Sequence, residues 1–299
     1  MLKSVLEERR DKMFRFKVEM FFIKTFKWIL MKMPEKFRYK FGEMIGVLVY
    51  YILPKRREVA LKNIKLAFPE KSDNEIKEIA LDSYKVMIKA FMMTLWISDT
   101  CKDDNKVKFE NYELYEEAKK MGKGVILVSL HMGAFEAVQK VALKTDLYTV
   151  FRRQKNPYIT KLMTEAREKN GVTLVARNSG LTKELVKALK NNRTVYLISD
   201  QYDDGCSVEF FGEKTRATTG PMAFGVRYDV PVLLVYNVLD ENNVSTIYFD
   251  KIIGVEKTGN IKKDTEFNTQ KLIYEFERVI KKHPEQWMWF HKRWRNNKK

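Results

Sequence analysis

The chain reads as an α/β protein, with a largely parallel central sheet flanked by helices and N-terminal helices that form a membrane-interface element. Three observations predict this. Short apolar runs rich in β-branched residues recur at 125–130, 149–151, 172–175, 195–198 and 230–235. Helical patterns lie between them near 134–145, 157–169, 180–191 and 218–228, and such alternation is the signature of parallel strands joined by helical crossovers. Ahead of them, residues 12–33 mix large apolar side chains with lysines and carry no acid after Glu19.

That first segment holds Phe14, Phe16, Phe21, Phe22, Phe26 and Trp28 among Lys17, Lys24, Lys27 and Lys32. Aromatic rings suit the headgroup depth of a bilayer and lysines meet anionic lipid, so a helix lying in the interface is expected. The competing reading is a terminal helix capping the core. Residues 44–53 are apolar but too short to span a bilayer, and Pro54 stops them. Helices follow at 56–68 and 72–98; Pro69 breaks the chain between them, and Ser72 with Glu75 has the capping-box spacing. A strand near 245–253 and helices after 266 complete the order. The division expected is residues 1–55 as membrane-associating helices and residues 56–299 as one catalytic domain. The first ten residues lack the apolar core and cleavage site of a secretory signal.

With 45% hydrophobic residues in 299, the chain can bury a full core. Its formal net charge of +17 implies an anionic partner: nucleic acid, an anionic leaflet or an acidic protein. No RNP-like, zinc-finger or helix-turn-helix signature supports nucleic acid. Cys101 and Cys206 stand far apart, without metal spacing or a redox pair, which suits a reducing compartment.

The most informative stretch is His131-Met-Gly-Ala-Phe-Glu136, directly after the strand run 124–130. A histidine exposed by the turn after a strand, with a carboxylate five residues on, is the arrangement a hydroxyl-activating base requires. His131 and Glu136 are therefore the candidate catalytic pair. Three substrate-binding candidates stand near other strand ends, where open α/β sheets bind ligands. Arg152, in Phe151-Arg-Arg-Gln-Lys-Asn-Pro157, suits a phosphate or a developing oxyanion. Asp200, in Ser199-Asp-Gln-Tyr-Asp-Asp-Gly205, could orient a substrate group or Arg152, or simply form the turn. In Arg216-Ala-Thr-Thr-Gly-Pro221, Thr218 or Thr219 would cap the next helix, and the N-terminus at Thr218 and Gly220 could receive an anion. The tail from Pro284 to Arg295 mixes aromatics and cations, and fits either membrane contact or a docked helix. No serine nucleophile elbow, phosphate-binding P-loop or metal-ligand pairing is present, so no metal or cofactor is expected.

Taken in order, these segments resemble the late acyltransferases of lipid A biosynthesis. The resemblance extends to Arg56-Arg-Glu-Val-Ala-Leu-Lys-Asn-Ile-Lys-Leu-Ala-Phe-Pro-Glu70 and to the final Trp-x-x-His-Lys-Arg-Trp, and spans roughly residues 40–295. Glu136 favours this branch, since the wider superfamily more often has Asp there. One departure is Tyr202, inserted in the acidic loop, which leaves open whether Asp203 or Asp204 takes the second acidic position. The resemblance implies an O-acyltransferase that moves a fatty acyl chain from acyl carrier protein to a hydroxyl of a lipid A precursor. It also implies an anionic glycolipid acceptor, the surface of the bacterial inner membrane on its cytoplasmic face, and no metal or covalent intermediate. Acyl transfer to a glycerophospholipid, a phosphatidylinositol mannoside or an aminolipid is the alternative chemistry. A basic membrane-surface protein without catalysis is the alternative class.

Overall fold

The computed structural model describes residues 2–177 and 180–295. Four helices lead: α1 (Leu2–Lys32), α2 (Glu35–Ile52), α3 (Pro54–Ala67) and α4 (Asp73–Met93), with a single-turn α5 (Ile97–Thr100) after them. The sheet region then runs β1 (Val107–Glu110), α6 (Tyr112–Lys120), β2 (Val125–Ser129), a 3₁₀ helix (Phe135–Leu143), β3 (Leu147–Phe151), α7 (Pro157–Glu168), β4 (Val172–Ala176), α8 (Leu181–Lys190) and β5 (Thr194–Ile198). A hairpin of β6 (Tyr202–Phe210) and β7 (Glu213–Ala217) precedes α9 (Gly220–Tyr228), β8 (Val232–Leu239), β9 (Ser245–Ile253) and α10 (Ile261–Lys282).

Seven strands form one sheet in the order β1-β9-β8-β2-β5-β3-β4. Every pairing is parallel except β8 with β9. β2 lies at the centre, and all five of its residues are buried. Ile126 and Val128 join the core on one face of the sheet, Val125 and Leu127 the core on the other. This two-sided cover explains why β2 reads as an unbroken apolar run rather than an alternating one.

The capping box at α4 is formed: Ser72 Oγ accepts the Glu75 N–H, and Glu75 accepts the Ser72 N–H at 2.9 Å. The helix expected after His131 is present as a 3₁₀ helix. Two expectations are corrected. The acidic loop expected around residues 199–205 runs from Tyr202 into the β6–β7 hairpin. The tail after Trp287 is extended and irregular rather than helical, and it runs through the core: Trp287 and Trp289 are among the largest fully enclosed side chains.

Helix α2 packs on α4 at Gly46, where a Cβ would stand 2.7 Å from the Tyr84 carbonyl oxygen. Helix α1 behaves differently. Met20 and Leu30 are buried, while Phe14, Phe21, Phe22 and Trp28 stay mostly exposed. Its anchor is Asn156, the N-cap of α7, whose amide donates to the Phe16 carbonyl oxygen at 3.2 Å and to Glu19 at 2.9 Å. Among the described residues no helix is long and apolar enough to cross a membrane.

Candidate active site

β2 and β5 are parallel neighbours in register, Ser129 opposite Ile198. Their carboxyl ends therefore open side by side, and the Ser199 N–H closes onto the Ser129 carbonyl at 2.9 Å. Two residues beyond each strand come His131 and Asp200. The His131 ring binds Asp200 Oδ1 through Nδ1 at 2.8 Å, and the His131 backbone N–H donates to Oδ2 at 3.0 Å. The Trp287 indole N–H also donates to Oδ2, at 2.8 Å. Asp200 is buried, which pushes its carboxyl upward; the His131 charge, the His131 ring and N–H, and the indole together outweigh this and hold it below the ordinary aspartate value. The carboxylate is thus kept ionised against the imidazole. With Nδ1 given to Asp200, Nε2 keeps the free lone pair, and His131 remains partly open to solvent.

The ring-orienting carboxylate expected at Glu136 is thus Asp200 in the structure. Glu136 is turned away and held by Arg167 of α7, with Nη2 to Oε1 at 2.5 Å and Nε to Oε2 at 3.2 Å. Gln139 Nε2 completes the carboxylate at 2.8 Å. The cause is local. Gly133 takes a left-handed turn at φ +52, packed so closely that a Cβ would lie 2.5 Å from the Asn237 carbonyl oxygen. Phe135 then sets its ring edge-on to His131 at 5.1 Å, and Glu136 starts down the 3₁₀ helix. Tyr196 of β5 is buried beside this site, its hydroxyl donating to the Phe135 carbonyl at 3.4 Å; burial pushes its phenol well above the ordinary range, with Glu136 and Asp200 adding to the rise.

Arg152 follows β3, next to β5, and Arg177 follows β4. With Arg153 and Ala176 they line an open cavity of about 650 Å³. Asp200 does not orient Arg152, because both of its oxygens are taken by His131 and Trp287. In the acidic loop, Asp203 reaches Arg177 at 3.4 Å. Thr219 occupies the N-cap of α9 but makes no side-chain capping bond, and Thr218 Oγ1 accepts only a loose 3.5 Å contact from the Gly220 N–H. Cys206 is buried, and burial raises its thiol. Among the described residues no three His, Cys, Asp or Glu side chains gather as a metal would require.

The sequence reading missed Trp287 and Arg167. Trp287 carried a faint signal, the aromatic tail motif; Arg167 carried none. His291, from the same tail, lies near both His131 and Asp200. Burial pushes its imidazole down to about 4, with Asp200 opposing and His131 reinforcing that shift, so it is neutral at neutral pH.

The family profile described as "Bacterial lipid A biosynthesis acyltransferase" matches residues 8–296, nearly the whole chain. The chain belongs to that family. It is accordingly an O-acyltransferase. This acyltransferase is 22% identical over 275 residues to the lipid A biosynthesis palmitoleoyltransferase of Escherichia coli (strain K12), covering 90% of this chain and 88% of that one. The lipid A biosynthesis lauroyltransferase of the same organism is also 22% identical, over 274 residues with the same coverage. Lipid A biosynthesis acyltransferase 2 of Shigella flexneri is 25% identical over 271 residues, 86% of this chain and 83% of that one.

Proposed function

We propose that this acyltransferase moves a fatty acyl group from acyl carrier protein to a hydroxyl of a lipid A precursor, forming an acyloxyacyl ester. The observation that carries the chemistry is the His131–Asp200 pair at the carboxyl ends of two neighbouring parallel strands. His131 Nε2 takes the proton of the acceptor hydroxyl as its oxygen attacks the thioester carbonyl. Asp200 fixes the ring and stabilises the imidazolium. Collapse of the tetrahedral intermediate breaks the C–S bond, and the departing thiolate takes the proton back from His131. Glu136 supports the wall of the site by holding Arg167, and Arg152 offers its guanidinium to a phosphate of the acceptor or to the oxyanion. Thr218 and Gly220, at the start of α9, are carried as further substrate-binding positions.

The acceptor is an anionic glycolipid in a membrane, and the exposed side chains of the first helices suit that surface. Phe14, Phe21, Phe22 and Trp28 on α1 and Phe37, Tyr51 and Ile52 on α2 are large apolar side chains left exposed. Interspersed lysines complement anionic headgroups. We place the protein on the cytoplasmic face of the inner membrane, lying on the bilayer. The charge of +17 also favours an acidic protein donor.

The test is a product assay with purified protein, offering acyl carrier protein thioester or acyl coenzyme A against a lipid A precursor or lysophosphatidic acid, with products weighed by mass spectrometry. The expected product is the acyloxyacyl lipid A species, formed faster from the carrier protein, with that preference shrinking as salt rises. His131→Ala should lower kcat by roughly 10²–10⁴-fold. Acylation of lysophosphatidic acid alone would overturn the acceptor assignment.

A further inference from the structure

We propose that Trp287 is a positioning residue of the active site, its indole N–H holding Asp200 in the one orientation that serves His131. The inference rests on the reading of His131 and Asp200 as the proton-transfer pair and goes beyond it, since it gives the C-terminal strap a working role.

The geometry is specific. Asp200 Oδ1 faces the imidazole, and Oδ2 accepts from two groups only among its described partners: the His131 backbone N–H at 3.0 Å and the Trp287 indole at 2.8 Å. A buried carboxylate without donors is costly, and each donor also restrains rotation of the group. Without the indole, one backbone N–H alone would oppose the turning of the carboxylate.

The indole is itself immobilised. Trp287 is packed edge-on against Trp289 at 4.6 Å and against Phe210 at 5.8 Å. Its carbonyl accepts from Ser83 of α4 at 2.5 Å. The strap also grips the other half of the pair. Trp287 forms a β-bridge with Met132, the Met288 N–H donates to the His131 carbonyl at 3.2 Å, and the Gly133 N–H donates to the Gln286 carbonyl at 2.9 Å. One segment therefore fixes the backbone of the base and the side chain of its partner.

Two variants test this in the full-length protein. Trp287→Phe keeps an aromatic ring without the N–H. Site-specific replacement of Trp287 by benzothienylalanine keeps the shape of the indole with sulfur in place of N–H, and decides the matter if the Phe variant does not fold. The expected result for the sulfur variant is a kcat about tenfold lower, in keeping with the loss of one hydrogen bond to a charged group. KM for both substrates should stay within about twofold, and the thermal midpoint should stay near wild type. The acid limb of the kcat–pH profile should move to lower pH, because a carboxylate free to turn away holds the imidazolium less firmly. Wild-type kcat with an unmoved profile would overturn the inference and reduce Trp287 to a core-filling residue. If His131→Ala and Asp200→Asn are inactive in the same assay, that failure belongs to Trp287 alone. If they are active, the pair itself is misassigned and the inference falls with it.

Discussion

Helix α1 and the C-terminal strap share a composition, aromatic rings interleaved with cations, and meet opposite fates. On α1, Phe14, Phe21, Phe22 and Trp28 are 63–67% exposed. In the strap, Trp287 is 2% exposed and Trp289 and Arg293 are 0%. The difference lies in the backbone. A helix satisfies its own N–H and C=O groups and leaves its side chains free to face any apolar medium. The irregular strap needs outside partners for its carbonyls, and the protein supplies them: Asn63 donates to the Trp289 and His291 carbonyls, both at 2.8 Å, Ser83 to that of Trp287, and Thr215 to that of Arg293 at 2.8 Å. Aromatic–cationic composition alone therefore does not separate an exposed element from a core one. The donors waiting elsewhere in the chain do.

The largest effect should come from treating the two regions alike. Removing the strap from Pro284 onward strips Trp287, Trp289 and Arg293 from the core, and the expected outcome is loss of cooperative unfolding and soluble expression. Replacing Phe14, Phe21, Phe22 and Trp28 by serine should leave the thermal midpoint nearly unchanged while releasing the protein from anionic vesicles in a flotation assay. A fourfold serine variant that unfolds, or that still floats with the vesicles, would contradict the distinction.

A single residue sharpens the comparison further. Asn63→Ala leaves the buried Trp289 carbonyl without its side-chain donor and takes from the His291 carbonyl one of two, the Arg293 N–H remaining at 2.8 Å, which should cost about 1–3 kcal/mol in denaturant unfolding. Asn63 belongs to the segment Arg56–Glu70 that resembles the family pattern, so the motif has a physical reason: it receives the tail. A loss below about 0.5 kcal/mol would show that the strap is held by its side chains alone.

The smallest effect is in pH. His291 titrates at about 4 in the folded chain against an ordinary 6.5. Between those values the unfolded chain binds more protons than the folded one, so stability rises with pH across that window and is lost on acidification. Asp200 is displaced in the same direction but contributes only at lower pH, its stabilisation fading as pH falls below 3.8, the ordinary aspartate value. Thermal midpoints measured from pH 7 to pH 4.5 should decline in the native protein and decline less in His291→Phe. Identical slopes in the two would show that His291 does not carry this dependence.

Much of the fold was legible because it is local. The β-branched runs marked β2, β3, β4, β5 and β8, and the Ser72–Glu75 spacing marked the start of α4. The β6–β7 hairpin was hidden because its first strand opens with Asp203, Asp204 and Gly205, residues that signal a turn. Gly205 has a different reason: a Cβ there would stand 2.3 Å from the Ala217 carbonyl oxygen, so the paired strands meet too closely for a side chain.

The site shows the same limit more sharply. His131 and the strand before it were readable, but its partner was sought five residues on, where sequence proximity suggested it. The neighbour of β2 on that side is β5 rather than β3, and strand order is a long-range property that no spacing reveals. Asp200, 69 residues away in the chain, arrives at 2.8 Å through that order, and Glu136 is left to balance Arg167. Trp287 was equally distant, and lay in a segment whose composition pointed as readily to a membrane.

The central claim is that Asp200, rather than Glu136, is the working partner of His131. The most direct test is kcat at saturating donor and acceptor for Asp200→Asn and Glu136→Gln, each shown to be folded by its thermal transition. Asp200→Asn should lose on the order of 10²-fold or more in kcat at a near-native midpoint, since the imidazole loses the charge that orients it and stabilises its protonated form. Glu136→Gln should lose less in kcat and more in thermal midpoint, because it leaves the Arg167 charge buried without its partner. Near-native kcat in Asp200→Asn, with the large loss falling on Glu136→Gln at an unchanged midpoint, would contradict the account.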